Sequence, residues 1–194
     1  MKKQISIIIL LLVLPATIFA QDKKHEIVLG YGVGTHYAIV EEMANILGVV
    51  ITLGTFNAEF ESGTGAILLG YRYSAGEKFS IGIDGSYTKI KDNLKIQGKQ
   101  VGNLEKEFYT IAPYVAYNYI KKEKIRLYSG IGLGYTFGKD KYTTDDGGDE
   151  TKNIGEFAFH INAFGVRFGK NIGGYVEVGY GYKGLVNLGV SFTL

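Results

Sequence analysis

The stretch that decides the fold is the last one, Leu185-Val186-Asn187-Leu188-Gly189-Val190-Ser191-Phe192-Thr193-Leu194. Val186, Leu188, Val190, Phe192 and Leu194 alternate with Asn187, Gly189, Ser191 and Thr193. Successive side chains of a strand point to opposite faces, so this period of two makes one apolar face and one of small polar groups. The other end of the chain says where such a strand is used. Lys2 and Lys3 precede an apolar run over 5–14, then Pro15 and small residues up to Ala20, the layout of a secretory signal peptide. Residues 1–20 are expected to be the leader and 21–194 one mature domain. An exported chain built of strands with an oily face belongs in a bacterial outer membrane.

The apolar run of the leader is shorter than the roughly 20 residues a spanning helix needs, and the nearest later stretch, 46–53, is shorter still. Any insertion must therefore use strands. With Cys 0 there is no lipidation cysteine, no disulfide framework and no thiolate metal site. Without the two leader lysines, 19 basic residues face 19 acidic ones, a balance that offers nothing to nucleic acid. Gly 28, Tyr 15 and Phe 11 beside Pro 2 and Trp 0 suit close-packed strands with interfacial rings, where a helical protein would avoid the glycine.

Alternation picks out eight segments: 26–34, 65–74, 78–89, 107–120, 124–138, 156–169, 174–182 and 185–194. The links at 75–77, 121–123 and 170–173 are tight, whereas those at 35–64, 90–106 and 139–155 are long. Only the last outer link, at Lys183 and Gly184, breaks the pattern by being tight. Turns on one side and long loops on the other are the signature of a transmembrane barrel. The expected fold is all-β, an eight-stranded antiparallel up-and-down barrel with both termini in the periplasm.

The faces sort accordingly. Outward residues include Ile67, Leu69, Tyr71 and Tyr73; Phe79, Ile81, Ile83 and Tyr87; Ile111, Val115, Tyr117 and Tyr119; and Ile131, Leu133, Tyr135 and Phe137. Their neighbours on the other face are mostly Gly, Ser, Ala and Thr, and Gly30, Gly32 and Gly34 read as the inward face of the first strand. Threading direction puts Tyr71, Tyr73, Phe79, Tyr117, Tyr119, Phe168 and Phe192 at the periplasmic rim and Tyr87, Tyr109, Tyr135, Phe137 and Tyr182 at the outer rim, two aromatic girdles. In the sixth segment the apolar parity changes between Ile161 and Phe164, which predicts a β-bulge there. A soluble lipocalin-like barrel would need Lys and Glu on its exterior faces, but here they crowd into turns and loops.

The pattern resembles the small eight-stranded outer-membrane barrels of the OmpA/OmpX type, in the form common among Gram-negative bacteria of the Bacteroidetes group. The resemblance rests on the leader, Gly70-Tyr71-Arg72-Tyr73, Gly179-Tyr180-Gly181-Tyr182-Lys183-Gly184 and the C-terminal strand. It implies a monomer surrounded by outer-membrane lipid and lipopolysaccharide and inserted by the barrel-insertion machinery. Such barrels typically end in an aromatic residue, whereas this chain ends in Leu194 with Phe192 two earlier.

An eight-stranded barrel is just wide enough to be filled by its own side chains. The charged inward candidates Arg72, Asp84, Arg126, Arg167 and Glu177 are therefore expected to form a paired core, with Arg167 meeting Glu177. His160, Asn162 and Glu177 invite comparison with lipid A deacylases of this architecture, but Asn162 stands where a serine nucleophile is required. Asp145, Asp146, Asp149 and Glu150 in the third long loop have oxygen ligands for calcium, at a spacing that matches no EF-hand and reads more simply as a solvated acidic loop. Lys89, Lys91, Lys95, Lys99 and Lys106 make the second long loop basic, suited either to lipopolysaccharide phosphates or to solvent. In the first long loop Ile39, Met43 and Leu47 recur at helical spacing, with Glu41, Glu42 and Asn45 between them. Such a helix is expected to bury its stripe on the barrel mouth, in the outer-leaflet interface or on a partner. The functional expectation is a barrel without cofactor, structural or adhesive through its outer loops. The alternatives are a lipid-modifying enzyme and a narrow channel.

Overall fold

The computed structural model describes residues 24–52, 56–97, 99–144 and 148–194. The predicted leader, Asp145 and Asp146 lie outside these residues. The elements run β1 (His25–Val33), α1 (His36–Ile51), β2 (Phe56–Gly63), β3 (Ala66–Ala75), β4 (Phe79–Ile96), β5 (Lys99–Lys121), β6 (Ile125–Thr144), β7 (Asp149–Gly169), β8 (Ile172–Gly181) and β9 (Val186–Thr193). One sheet holds them in the order β2-β4-β3-β1-β9-β8-β7-β6-β5, and β5 returns to β4 to close it. β2 and β3 follow one another along the same edge of β4, with Gly63 opposite Ile90 and Ile67 opposite Tyr87. They are two halves of one strand, interrupted at Thr64 and Gly65. The barrel wall is thus eight strands, as the alternation predicts, and its seam is the pairing of β1 with β9 from Glu26 opposite Thr193 to Val33 opposite Val186.

Closure leaves every backbone group in the wall a neighbouring strand to bond, which a sheet in lipid requires. The apolar parity points out: Ile67, Leu69, Ile81, Ile83, Ile111, Val115, Ile131, Leu133 and Phe137 are exposed, while their alternates are buried. The bulge predicted in the sixth segment is present in β7, where the register against β8 shifts between Asn162 and Phe164 and brings Phe164, Val166 and Phe168 back to the outer face. Inside, glycines make room for rings. A Cβ on Gly30 would collide with the Tyr175 hydroxyl, and one on Gly132 with that of Tyr182.

Two predicted long loops are in fact strand. β4 and β5 stay paired up to Ile96 opposite Lys99, and β6 and β7 up to Thr143 opposite Asp149. The physical reason is a change of surroundings. Above the outer girdle the wall meets water, so Lys89, Lys91, Glu105 and Glu107 take the outer face and Ile90, Leu104 and Phe108 take the inner one. The first predicted loop contains the expected helix. Gly34 turns the chain at φ 68, and Thr35 caps α1 by accepting the Ala38 amide on its hydroxyl at 3.3 Å.

β4, β5, β6 and β7 rise above the girdle with β2 on their edge, whereas β8, β9, β1 and β3 stop near it. α1 bridges that gap. Its first turn touches β7, where the His36 ring lies 5.6 Å from that of Phe159, and its body packs chiefly on β2. Tyr37 reaches inward, stacked at 4.3 Å on Phe108 and hydrogen-bonded to Thr110 and Thr136.

Candidate functional site

The lumen is filled from above by the β8–β9 hairpin. Gly181 (φ 137) and Gly184 (φ 97) fold the link inward, so that Tyr182 and Lys183 are completely buried. This corrects the reading that put Tyr182 on the outer girdle, and it gives the tight link at Lys183 and Gly184 an inward course. Lys183 Nζ lies 3.2 Å from Asp84 and 3.3 Å from Glu177, above the ring of Tyr114 at 3.9 Å. Arg72 closes on Asp84 at 2.5 Å, and the Tyr182 hydroxyl donates to the same carboxylate at 2.8 Å. Glu177 also accepts from the Tyr128 hydroxyl at 2.9 Å. Each charge in this cluster has an opposite partner in contact, the condition for tolerating it away from water.

A second cluster closes the periplasmic end. Glu26 receives Arg126 at 2.7 Å and Arg167 at 2.9 Å, while Arg167 also donates to Ser191 at 2.7 Å. The predicted Arg167–Glu177 pair is therefore absent, and the correction follows from register. Arg167 faces Tyr175 and Glu177 faces Gly165, and from those positions the guanidinium extends down to the carbonyls of Gly169 and Lys170 while the carboxylate is taken by Lys183. All five predicted interior charges do face the lumen. The partners missed were Glu26, read only as a strand start, and Lys183, whose signal was a lysine framed by Gly181 and Gly184 in a link too tight to reach solvent.

Between the clusters lies a cavity of about 20 Å³, lined by Val28, Arg72, Tyr114, Tyr128 and Glu177 among others, room for roughly one water molecule. Below it a vestibule of about 370 Å³ opens to the periplasm between Arg126, Arg167, Lys121 and Lys170. His160 is buried beside Tyr182, rings 5.4 Å apart, and faces the lumen. It is walled off from the lipid, where a membrane-facing lipase would need it.

Above the girdle a second chamber lies under α1. Lys106 holds Glu41 at 2.6 Å, and Asp92 is buried with neither carboxylate oxygen bonded. Burial, and then the neighbouring Glu41 charge, push Asp92 up to about 6. Burial raises Asp140 as well. Outside the same strands Lys89 bridges Glu105 at 2.5 Å and Lys91 bridges it at 3.4 Å. Lys89, Lys91 and Lys106 are thus engaged by carboxylates. Lys91, Asn93, Asn103, Glu105 and Lys141 line a shallow groove of about 480 Å³ on this outer face. Of the predicted acidic loop, Asp149 reaches Lys141 at 3.9 Å and Glu150 stands opposite Tyr142. Among the described residues no three acidic or histidine side chains gather to hold a metal.

An oily belt between aromatic rims around an ion-paired interior has one setting. This is a transmembrane β-barrel of the bacterial outer membrane. No family model matches the chain, and no curated protein does. Among solved structures it is similar to Ail, the attachment invasion locus protein of Yersinia pestis, at 15% identity over 87% of this chain and 91% of that one, with a TM-score of 0.42. The same protein in complex with the heparin analogue sucrose octasulfate gives 15% identity over 87% and 92%, with a TM-score of 0.40.

Proposed function

We propose that this barrel is non-catalytic and acts through the sheet it raises above the membrane, as an adhesive or envelope-structural element. The observation that carries the reading is the contrast between a lumen with about 20 Å³ to spare and a projecting wall whose outer face presents a polar groove of about 480 Å³. Among the described residues a lumen that tight offers no path for a solute, and its charges are held by one another. The groove offers amide and hydroxyl groups beside cations and carboxylates, a surface for a polar macromolecule such as a protein or glycan. On this reading residues 1–20 are cleaved as the leader and residues 21–194 form the mature monomer. Its surroundings are outer-membrane lipid and lipopolysaccharide, and the barrel-insertion machinery assembles it.

The test compares the intact barrel with Asn93→Glu/Asn103→Lys, which replaces a cross-strand pair in the groove by one of opposite charges. Both are reconstituted in vesicles and layered on surfaces coated with extracellular matrix. The expected result is retention of the wild-type vesicles, loss of most of that retention in the variant, and no current through either protein in a planar bilayer. Steady single-channel conductance, or retention no better than that of empty vesicles, overturns the reading.

A further inference from the structure

The helix that closes the upper wall turns its apolar side outward. Tyr37 and Glu41 face the chamber, while Val40, Met43, Leu47 and Ile51 are 52%, 59%, 58% and 77% exposed. A helix advances about 100° per residue, so these four share one arc with His36, and Glu42 lies across the helix from Val40. Of the three settings the sequence offers this stripe, the barrel mouth does not cover these residues. The sequence puts Glu41 and Tyr37 on the inward side, where Lys106 and the Thr110–Thr136 pair receive them, and leaves the aliphatic side exposed.

The belt beneath that face is incomplete. On β6 outward apolar residues run from Ile125 to Phe137, and on β5 the outward face runs from Tyr109 to Tyr119. On β1, β3 and β9 they run only from Ile27 to Val33, Ile67 to Tyr73 and Val186 to Phe192. At about 3.3 Å per residue and a tilt near 40°, the long strands cover roughly 25–30 Å and the short ones roughly 15 Å, against a belt of about 25 Å in barrels of this class. The shortfall of about 10 Å on the short side equals the diameter of one α-helix with its side chains. α1 lies at that height, directly after Val33, and its arc meets the belt where the His36 ring touches Phe159 and Phe159 in turn lies 5.8 Å from Tyr180.

We propose that the outward face of α1 is a lipid-contacting part of the barrel, seated in the acyl-chain and glycerol region of the outer leaflet, where it supplies the belt that β1, β3 and β9 are too short to make. The occupant is lipid because this face continues a surface already in lipid. The membrane of this protein then meets strands on one side and, at its upper level on the other, a helix lying along the interface.

The chain has no tryptophan, so single-tryptophan variants report one position each. Met43→Trp is compared with Leu133→Trp in the belt and Lys141→Trp above it, after folding is verified by the mobility shift between unboiled and boiled samples. Val40→Trp serves if Met43→Trp does not fold. Each is reconstituted in phosphatidylcholine vesicles whose lipids are brominated near the glycerol end of the chains, and separately exposed to aqueous iodide. The helix tryptophan is expected to lose most of its emission to the bromolipid and to resist iodide as Leu133→Trp does, with Lys141→Trp behaving oppositely. Iodide quenching equal to that of Lys141→Trp, without bromolipid quenching, overturns the proposal. So does insensitivity to both quenchers that disappears when the protein is diluted into excess lipid, the behaviour of a face covered by a second copy.

Discussion

The two halves of this molecule divide at Tyr87, Tyr109 and Phe137, and the same four strands carry opposite patterns on either side. Below that line Ile83, Ile111 and Leu133 point out and Asp84, Tyr114 and Tyr128 point in. Above it Lys89, Glu105 and Lys141 point out and Ile90, Leu104 and Phe108 point in. The backbone ladder continues unbroken through the reversal, so what decides the inside of a barrel is its solvent. The halves also treat buried charge differently. In the lower one each lumen charge has an opposite partner, whereas the upper one buries the Asp92 carboxylate with neither oxygen bonded.

The sharpest way to break this comparison is to remove the cation of the lower half. Lys183→Met leaves Glu177 without its counter-charge and Asp84 with one fewer, and should cost about 3–5 kcal/mol, read as a fall in the urea midpoint of the reconstituted barrel. An unchanged midpoint would mean that the lumen is wetter than its packing implies.

Asp92→Asn should act in the other direction and in the other half. A carboxyl whose folded pKa is raised to about 6 from an ordinary 3.8 holds its proton more tightly folded than unfolded. Its contribution is favourable below pH 3.8 and is lost as pH rises through 6, so at pH 7 the ionised group opposes the chamber by about 2–3 kcal/mol. The substitution is expected to slow amide exchange in His36–Ile51 at pH 7, after correction for intrinsic rates, and to leave it unaltered at pH 4. Equal effects at both values would assign the gain to packing.

A double-mutant cycle separates neighbours in register from partners in charge. Lys183→Met with Glu177→Gln should show a coupling of about 1–3 kcal/mol, while Arg167→Met with Glu177→Gln should add within about 0.5 kcal/mol. The smallest effect belongs to the exposed outer face: Lys89→Ala, which breaks the bridge to Glu105, should shift the same midpoint by no more than about 1 kcal/mol and lose even that in high salt.

Alternation alone was enough to place eight strands, the two girdles except for Tyr182, and the bulge after Ile161, because each depends on which parity carries Ile, Leu, Phe and Tyr. It failed where the parity inverts: a search for outward apolar residues finds none after Tyr87 and records a loop, although Ile90 and Leu104 keep strict alternation on the other face. The lumen charges were legible as a set and illegible as pairs. Arg167 and Glu177 share a face two hydrogen-bonded rows apart, and only the downward reach of one and the inward fold of Lys183 decide who meets whom. Glu26 carried no signal beyond its parity in β1. The helix was visible in Ile39, Met43 and Leu47, but the side it buries was set by Tyr37, whose partners Thr110 and Thr136 lie across the barrel on two different strands, and by Glu41, whose partner Lys106 lies in a segment the sequence reading had left as a loop.

The seam between β1 and β9 has a consequence for assembly. Apart from β1 with β3, which α1 and β2 separate along the chain, the other pairs in the wall join close neighbours in sequence, and hairpins of that kind zip locally within microseconds. Glu26 and Thr193 meet only after almost the whole chain between them has been threaded, so closure carries the largest loop entropy in the molecule. Until then β1 and β9 are two bare edges, each ready to pair with a foreign strand. The seam is therefore the place where a catalyst of insertion has most to gain by offering a temporary edge, and where a half-finished barrel is most exposed to misassembly.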